Sequence, residues 1–258
     1  MRCVTMPASN PGSRGVPMDA ILDLVRESQR LVVFTGAGVS TLSGLPDFRG
    51  EDGIYRQIDG SRVFDIGVFH QDPAFFYAHG ADLVYGLDGC EPSLVHRECA
   101  RLEAAGKLLG VVTQNIDMLH QRAGSEAVVE LHGSPATHTC VGCGRVQGYA
   151  WAQERVRTGD LPRCPTCREV LKPDITFFGE MLPPGALEQA AAWAAEADVL
   201  LVLGSTLLVQ PAASIPMITA RSGGELVIVN RDPTPLDHLA VARHGDLATL
   251  FERIATEI

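Results

Sequence analysis

The sequence predicts an α/β protein with a doubly wound parallel sheet and a small inserted module, and three observations support this. Several short apolar runs are continuous and not alternating, which is typical of parallel strands buried on both faces. Helical stretches lie between these runs, and strand–helix alternation of this kind builds an open parallel sheet. The stretch from about residue 135 to 175 breaks the pattern and contains two Cys-x-x-Cys pairs. We therefore predict a large Rossmann-like domain with a small inserted zinc-ribbon module.

Four apolar runs and five helical stretches define the large domain. The predicted strands are the runs LVVF, LLGVV, VLLVL and ELVIV, at residues 31–34, 108–112, 199–203 and 225–229. The first predicted helix is amphipathic, with Ile21, Leu24 and Val25 on one face. Helices are predicted at residues 20–30, 72–85, 93–105, 185–197 and 215–221.

A chain of 258 residues has room for one large and one small domain. We assign residues 18–134 and 176–258 to the large domain and residues 135–175 to the zinc module. The helical stretch near residues 54–90 is a candidate part of the small lobe. Residues 1–17 are rich in Gly, Pro and Ser and lack the apolar core of a signal peptide, so we expect a flexible N-terminal tail.

The composition excludes several classes of protein. A formal net charge of −10 argues against a nucleic-acid surface built on general basicity, and it suits basic partners such as Lys-rich segments. No apolar run reaches the roughly 18 residues of a membrane span, so we expect no membrane partner. Four of the seven cysteines lie in the two Cys-x-x-Cys pairs, which favours a metal site in a reducing compartment over disulfides. We therefore predict a cytoplasmic protein.

Each predicted strand runs directly into a polar or glycine-rich segment. In open α/β sheets the ligand lies outside the carboxyl ends of the strands, so these four segments predict the rim of one cleft. A single such segment is as often a simple turn as a binding element, but four together are poorly explained by turns. The segments are Thr35-Gly36-Ala37-Gly38, Thr113-Gln114-Asn115, Gly204-Ser205-Thr206 and Asn230-Arg231-Asp232.

The glycines after the first strand indicate a dinucleotide site. Gly36 and Gly38 would let the backbone approach a pyrophosphate, and the following helix start is expected to offer free amide hydrogens. The dehydrogenase fingerprint is incomplete, because Thr41 occupies the third glycine position and the next glycine is Gly44. No acidic residue is identifiable at the end of a second strand about twenty positions further on. A hydride-transferring dehydrogenase is thus the weaker alternative.

The residues that follow carry a family resemblance. The string GAGVSTLSGLPDFRG at residues 36–50 resembles the first signature of the sirtuins, the NAD-dependent protein deacylases. The resemblance continues in the family's order and covers about residues 20 to 257. It includes TQNID at 113–117, LHG at 131–133, FFGE at 177–180, GST at 204–206 and VN at 229–230.

The resemblance implies an enzyme that consumes NAD as a co-substrate. The family reaction joins NAD, an acyl-lysine and water, and it yields nicotinamide, free lysine and O-acyl-ADP-ribose. By match to the family, His132 is the general base and Asn115 orients the ribose and nearby water. Histidine suits this role because its ordinary pKa lies near neutrality. An isolated histidine is more often structural, so its place in the LHG string carries this assignment.

The resemblance also assigns the NAD contacts. Ile116 and Asp117 are expected to hold the nicotinamide amide, Gln114 to reach its ribose, and Phe48 to shield the ribosyl centre from water. Arg49 is expected near the phosphates, and the backbone of residues 245–247 near adenine. The full NAD-binding set is Gly36, Ala37, Gly38, Thr41, Phe48, Arg49, Gln114, Asn115, Ile116, Asp117, His132, Gly204, Ser205, Thr206, Asn230, Asp246 and Leu247.

The acyl-lysine is expected in an apolar tunnel, with the peptide added as a strand beside residues 178–180. Thr176 stands where the family often has valine, and Lys172 stands where it often has arginine. Sirtuins that accept acidic acyl groups carry Tyr-x-x-Arg, and Tyr77 is here followed by Gly80 at the arginine position, which predicts neutral acyl groups. The substrate set is Phe48, Thr176, Phe178, Gly179, Glu180 and Val209.

The two Cys-x-x-Cys pairs have zinc-ribbon spacing. The ligands would be Cys140, Cys143, Cys164 and Cys167, with twenty residues between the pairs. Four thiolates leave no open coordination position, so one structural zinc ion is expected. Zinc ribbons can also bind nucleic acid, but few residues between the pairs are basic, and we expect no sequence-specific nucleic-acid binding.

The sequence is compatible with three functions. The first is an NAD-dependent lysine deacylase acting on acyl-lysine proteins or peptides. The second is mono-ADP-ribosyl transfer to a protein, which some sirtuins show. The third is a module that senses NAD without turnover.

Overall fold

The computed structural model describes residues 17–47, 53, 59–86 and 89–258. The core of the fold is a six-stranded sheet in the order β3-β2-β1-β7-β8-β9, and every neighbouring pair in it is parallel. Its strands are β1 (Leu31–Thr35), β2 (Leu108–Thr113), β3 (Val128–Glu130), β7 (Val199–Leu203), β8 (Glu225–Val229) and β9 (Ala242–His244). The order reverses between β1 and β7, as it does in doubly wound sheets, which confirms the predicted fold class.

A second sheet has three antiparallel strands in the order β5-β4-β6. These strands are β4 (Gly133–Cys140), β5 (Val146–Gly148) and β6 (Leu171–Ile175). The helices are α1 (Met18–Glu27), α2 (Gly38–Thr41), α3 (Gly60–Val63), α4 (Ile66–Gln71), α5 (Pro73–His79), α6 (Ala81–Tyr85), α7 (Leu94–Ala104), α8 (Leu119–Ala123), α9 (Tyr149–Arg157), α10 (Ala186–Glu196), α11 (Ile215–Arg221) and α12 (Leu247–Glu257).

Alternate residues of each central strand face two different hydrophobic layers. Leu31 and Val33 of β1 pack with α1, α7 and α12, whereas Val32 and Phe34 pack with α10 and α11. All five residues of β1 and of β7 are buried, which explains why the two runs are continuously apolar. In the part of the chain that the structure describes, no helix has the length and apolarity needed to cross a bilayer.

Helices α3 to α6 pack against the second sheet. Their shared core contains Phe64, Phe69, Phe76 and Phe177, whose rings meet mainly edge to face at centroid distances from 5.1 to 5.8 Å. One helix was predicted over residues 72–85, but the structure has two, α5 and α6, separated at Gly80. A Cβ at Gly80 would lie 2.7 Å from the Val63 side chain, so this position has no room for a larger residue.

Two histidines are fully buried behind the sheet's carboxyl edge. His96 of α7 and His120 of α8 have ring centroids 4.6 Å apart. Burial lowers the pKa of His96 to about 4, although the negative charge of Asp117 opposes this shift. Burial is also the larger cause that lowers the pKa of His120 well below its ordinary value, and the charge of His96 is the smaller one. Both rings are therefore neutral in the native protein at pH 7.

This burial predicts that acid destabilises the protein. The unfolded chain binds a proton on each histidine near pH 6.5 and the native chain does so only in stronger acid, so stability is present above pH 6.5 and is lost as pH falls toward 4. We expect the free energy of unfolding to drop by about 2 kcal/mol per histidine between pH 7 and pH 5. Urea unfolding at the two pH values measures this. A double variant, His96→Asn with His120→Gln, should show a smaller drop, and an equal drop would contradict the assignment.

Candidate active site and zinc centre

The carboxyl ends of all six parallel strands open onto one cavity of about 1210 Å³. The four segments predicted to form a rim all contribute to its lining, and His132 after β3 and residues 245–248 after β9 contribute as well. Of the predicted site residues, those that line the cavity are Gly36, Ala37, Gly38, Thr41, Gln114, Asn115, Ile116, His132, Thr176, Phe178, Gly179, Glu180, Gly204, Ser205, Thr206, Val209, Asn230, Asp246 and Leu247.

Three predicted residues remain. Phe48 and Arg49 lie outside the described residues. Asp117 is buried just behind the cavity, where its carboxylate accepts hydrogen bonds from the Ser40 hydroxyl at 2.6 Å and the Leu119 amide at 2.9 Å. The Asp117 carboxylate thus fixes the turn that presents Asn115 and Ile116.

The glycines after β1 have a second role, in loop packing, that the sequence does not reveal. Gly38 donates its amide to the Gly204 carbonyl at 2.9 Å, and the amides of residues 39–41 donate to carbonyls of the same loop. These four amide hydrogens are therefore not left over for a phosphate, which corrects the expectation of free amides at this helix start. A Cβ at Gly36 would lie 2.7 Å from the Gly204 carbonyl oxygen, so the glycines allow two loops to touch where the strand order reverses.

Gly204 is the tightest point of this contact. Its φ is +61°, and a Cβ there would lie 2.6 Å from the Gly38 Cα. We expect Gly204→Ala to lower the free energy of unfolding by about 3 kcal/mol, since a left-handed backbone and overpacking both cost energy. Gly106→Ala is the matched control, because Gly106 has a φ of +71° with no neighbour within 4 Å of a Cβ. Gly106→Ala should lower the free energy of unfolding, measured with urea, by only about 1 kcal/mol. Equal losses would contradict the steric argument.

The tautomer of His132 follows from its hydrogen bond. Its Nδ1 lies 2.7 Å from the carbonyl oxygen of Gln114, and a carbonyl can only accept, so Nδ1 carries the proton of the neutral ring. In that tautomer Nε2 is the atom able to take up a proton, as a general base requires. The His132 carbonyl in turn accepts from the Thr176 amide at 2.8 Å, which joins the two sides of the cavity.

The residues next to His132 are held in place by hydrogen bonds. Asn115 donates its side-chain amide to the Gly36 carbonyl and to the Ser40 hydroxyl, both at 3.1 Å. Gln114 donates its side-chain amide to the Ser205 hydroxyl at 2.7 Å, which links the ends of β2 and β7 across β1. These bonds organise the amide groups at the cavity wall before any ligand binds.

The segment after β6 forms the opposite wall. The main chain of Phe178 donates to the Phe64 carbonyl at 2.7 Å and accepts from the Ile66 amide at 3.1 Å. Both main-chain groups of Phe178 are therefore already used. Gly179, with a φ of +93°, makes no hydrogen bond to any residue that the structure describes, so its main chain is available to a bound peptide.

Lys172 stabilises this wall through contacts with its main chain and with Glu180. Its ammonium donates to the carbonyls of Pro173 and Ile175 and forms a 2.8 Å ion pair with Glu180, and it lies 4.2 Å from the Phe177 ring centroid. Burial lowers the pKa of Lys172, and the hydrogen bond and charge of Glu180 oppose that shift. These contacts give Lys172 a structural role in the wall.

Several lining residues were not anticipated from the sequence. They belong mainly to residues 181–188 and 210–211, where apolar and proline residues give no motif. Met181 is 91% exposed and Leu208, next to Val209, is 60% exposed, which is unusual for large apolar side chains. An exposed apolar run between a strand and a helix is the signal that would have indicated them.

The four predicted cysteine ligands meet at one end of the second sheet. Their sulfur atoms all lie within 4.8 Å of one another, with Cys140 and Cys167 at 3.3 Å and Cys143 and Cys164 at 3.6 Å. Sulfurs bound at about 2.3 Å to a tetrahedral zinc ion are about 3.8 Å apart, so the cluster fits zinc and is too open for disulfides.

Each cysteine pair lies on a turn of the same design. Gly144 donates its amide to the Cys140 carbonyl and Arg168 donates to the Cys164 carbonyl, both at 3.0 Å. Gly144 and Arg168 have φ values of +71° and +70°. The two pairs are thus presented by equivalent turns, with all four positions filled by thiols. This fits a structural zinc ion, because no coordination position is left for a substrate.

Comparison with known proteins agrees with this geometry. The model of the Sir2 family matches residues 36–211. An NAD-dependent protein deacetylase of Thermotoga maritima is 43% identical over 93% of this chain and 98% of its own. An NAD-dependent protein deacylase of Archaeoglobus fulgidus is 41% identical over 92% of this chain and 94% of its own.

Solved structures give the same result. A Sir2 protein with a p53 peptide and NAD⁺ superposes with a TM-score of 0.86 at 42% identity, covering 94% of this chain and 98% of its own. A Sir2 protein bound to a propionylated peptide has a TM-score of 0.85 at 41% identity, with the same coverage. The motifs, the sheet order, the shared cavity and these similarities lead to one conclusion: the chain belongs to the Sir2 family of sirtuins.

Proposed function

We propose that this protein is an NAD-dependent protein lysine deacylase that releases nicotinamide and transfers a neutral acyl group from lysine to ADP-ribose. The observation that carries the proposal is His132, whose Nδ1–H is held by the Gln114 carbonyl and whose ring faces the same cavity as the peptide wall at residues 178–180. Relatives named NAD-dependent deacetylases and deacylases support it. So does a similar Sir2 structure that holds a deacetylated p53 peptide and 3′-O-acetyl-ADP-ribose.

The cavity fits NAD in size and in chemistry. Its volume of about 1210 Å³ exceeds the roughly 300–1,000 Å³ of sites for drug-sized ligands, so it has room for a dinucleotide beside an acyl-lysine. When bound, NAD supplies the ribosyl carbon that accepts the acyl group as nicotinamide leaves. We assign the adenosine half to Ser205, Thr206, Asn230, Asp246 and Leu247, and the phosphates to the loop of Gly36, Ala37, Gly38 and Thr41, with Arg49.

We assign the nicotinamide half of NAD to the turn after β2. We propose that Gln114 and Asn115 contact the ribose, that Ile116 and Asp117 hold the amide, and that Phe48 covers the reacting carbon. His132 is the catalytic base: its Nε2 takes a proton from a ribose hydroxyl while the Gln114 carbonyl holds the opposite nitrogen of the ring. Because that carbonyl stabilises the Nδ1–H, it keeps Nε2 as the basic atom.

The acyl preference follows from the charges in the cavity. Among the described lining residues, the one arginine or lysine is Arg231, which follows β8 and lies with the adenosine residues. The Tyr77 hydroxyl is bonded to the Leu171 carbonyl at 2.6 Å, and neither Tyr77 nor Gly80 lines the cavity. An acidic acyl group would have no cation to pair with, and burying it would cost several kcal/mol, about 3 or more. We therefore propose acetyl and other neutral acyl groups as substrates.

The peptide binds across the wall at residues 176–180. We propose that its main chain pairs with Gly179, and that the acyl-lysine passes between Phe178 and Val209 toward His132. Thr176 contributes through its main chain, and Glu180 through its ion pair with Lys172. Main-chain pairing tolerates many peptide sequences.

The zinc module has a structural role in this proposal. We assign it residues 135–175, within a protein whose large domain is residues 18–134 and 176–258, and we propose that helices from the 54–90 stretch complete the small lobe. Its arginines are partly engaged, since Arg155 stacks on Trp151 and Arg163 donates to the Arg168 carbonyl, so we propose no sequence-specific nucleic-acid binding. We propose a cytoplasmic protein, because cysteines at metal-ligand spacing suit a reducing compartment.

One incubation separates the proposal from its alternatives. The protein is mixed with NAD and an acetyl-lysine peptide, and the products are analysed by mass. Free lysine peptide with O-acetyl-ADP-ribose supports deacylation. Protein that gains ADP-ribose instead supports mono-ADP-ribosyl transfer, and intact NAD with unchanged peptide supports a sensing module. A succinyl-lysine peptide that reacts faster than the acetyl-lysine peptide would overturn the neutral acyl preference.

A further inference from the structure

The neutral histidine pair described above lies directly behind the turn that carries Asn115. His96 and His120 are 0% and 1% exposed, and neither lines the cavity. They take no part in the chemistry proposed above. Buried neutral imidazoles with several hydrogen-bonding atoms are costly unless those atoms are used, so their role in the fold needs an explanation.

A chain of hydrogen bonds joins His120 to the catalytic turn. The His120 Nε2 lies 3.2 Å from the Thr35 hydroxyl, which donates to the Thr113 hydroxyl at 2.8 Å. The Thr113 hydroxyl accepts from the main-chain amide of Asn115 at 3.0 Å. Every member of the chain is buried, and it runs from α8 through β1 and β2 to the residue that begins the nicotinamide turn.

The same bonds determine the tautomers of the two rings. Because the Thr35 hydroxyl gives its proton to Thr113, it accepts from His120, whose proton must be on Nε2. The His96 Nδ1 accepts from the Ser93 amide at 3.1 Å, so the proton of His96 is also on Nε2. The remaining ring nitrogens are Nε2–H of His96, a donor, and Nδ1 of His120, an acceptor. Neither atom has a hydrogen-bond partner among the described residues.

We propose that His96 and His120, as a pair of buried neutral rings in contact, are positioning residues that hold the turn at Asn115 in the geometry that binds NAD. A proton added to His96 would sit on Nδ1, which would then face the Ser93 amide hydrogen and lose the hydrogen bond that it accepts from it. The charged and titratable groups that act on the pair are Asp117 before α8 and Arg97 on α7, together with each ring on the other. The inference rests on the proposed use of NAD.

The kinetic test compares variants that keep or remove one bond. We expect His120→Leu and Thr35→Val to lower kcat/KM for NAD at least tenfold. The KM for the peptide should stay unchanged, because residues 176–180 are not part of this chain of hydrogen bonds. His120→Gln places an amide donor where Nε2 was and should restore most of the loss. Thr219→Val is the matched control, because Thr219 is another fully buried threonine with one hydrogen bond, to the Ala194 carbonyl far from the cavity.

Two measurements do not depend on turnover. Calorimetry should show NAD affinity weakened about tenfold in His120→Leu and unchanged in Thr219→Val. Nitrogen-15 NMR of histidine-labelled wild-type enzyme at pH 7 should show both rings neutral and protonated on Nε2, which tests the idea even where a variant does not fold. Wild-type protein that binds NAD without turning over would refute the proposed function alone.

Three results would overturn the proposal itself. The first is a folded His120→Leu variant with wild-type NAD affinity. The second is a His120→Leu variant in which kcat/KM for NAD and KM for the peptide change together, by the same factors as in Thr219→Val. The third is an NMR spectrum in which His120 is protonated on Nδ1 or either ring is charged at pH 7.

Discussion

Replacing His132 with alanine is expected to abolish deacylation while NAD still binds. The ring supplies the basic Nε2, and general bases contribute about 10²–10⁴-fold to rate, so kcat should fall by at least about 10²-fold. The Gln114 carbonyl that holds Nδ1 belongs to the main chain and stays in place, and the adenosine contacts lie on other strands. Affinity for NAD should therefore change by less than about threefold, which is under 1 kcal/mol.

The rate of peptide deacetylation and calorimetry with NAD measure the two effects separately. His70→Ala serves as the control, because His70 is an exposed histidine on α4 that does not line the cavity, and it should keep full activity. A His132→Ala variant that retained more than a tenth of wild-type kcat would require another base.

Removing zinc is expected to unfold the small sheet and to stop the reaction indirectly. Structural zinc contributes folding energy of about 10–16 kcal/mol in small domains, far more than a small sheet can otherwise supply. The effect should reach the active site through two strands. β4 begins at Gly133, next to His132, and β6 leads from the zinc end to Thr176 and the peptide wall.

A chelator titration followed by metal content, activity and hydrogen exchange tests this. Exchange should rise across residues 133–175, while β1 and β7 in the large sheet stay protected. Zinc should restore activity and magnesium should not. Cys164→Ser should behave like the chelated protein, whereas Cys90→Ser, which changes a cysteine outside the cluster, should behave like wild type. Full activity without bound zinc would contradict a structural role.

The architecture could be predicted because the four central strands, β1, β2, β7 and β8, each form a recognisable apolar run. The central strands are buried on both faces, so their sequences are apolar throughout and stand out from the helices between them. The zinc cluster was equally visible, since four cysteines at ribbon spacing leave few other arrangements. The strand β9 was missed because three residues, Ala-Arg-His, are too few and too polar to form a recognisable run.

The details of the site depend on contacts between distant residues, which a single sequence does not record. Nothing in the sequence relates Gly38 to Gly204, Gln114 to Ser205, or Lys172 to Glu180, yet these pairs shape the cavity. The sequence predicts a phosphate loop at the glycines after β1, because that is their usual role after a first strand. Their use for loop contact became visible only once both loops were placed.

The central claim is that NAD is consumed together with the acyl group, and the stoichiometry of the products tests it most directly. With an acetyl-lysine peptide and NAD, the account predicts one nicotinamide and one O-acetyl-ADP-ribose for each lysine freed, and none of the three products when either substrate is left out. Deacetylated peptide that appears with free acetate while NAD stays intact would contradict the account, as would nicotinamide released without any freed lysine.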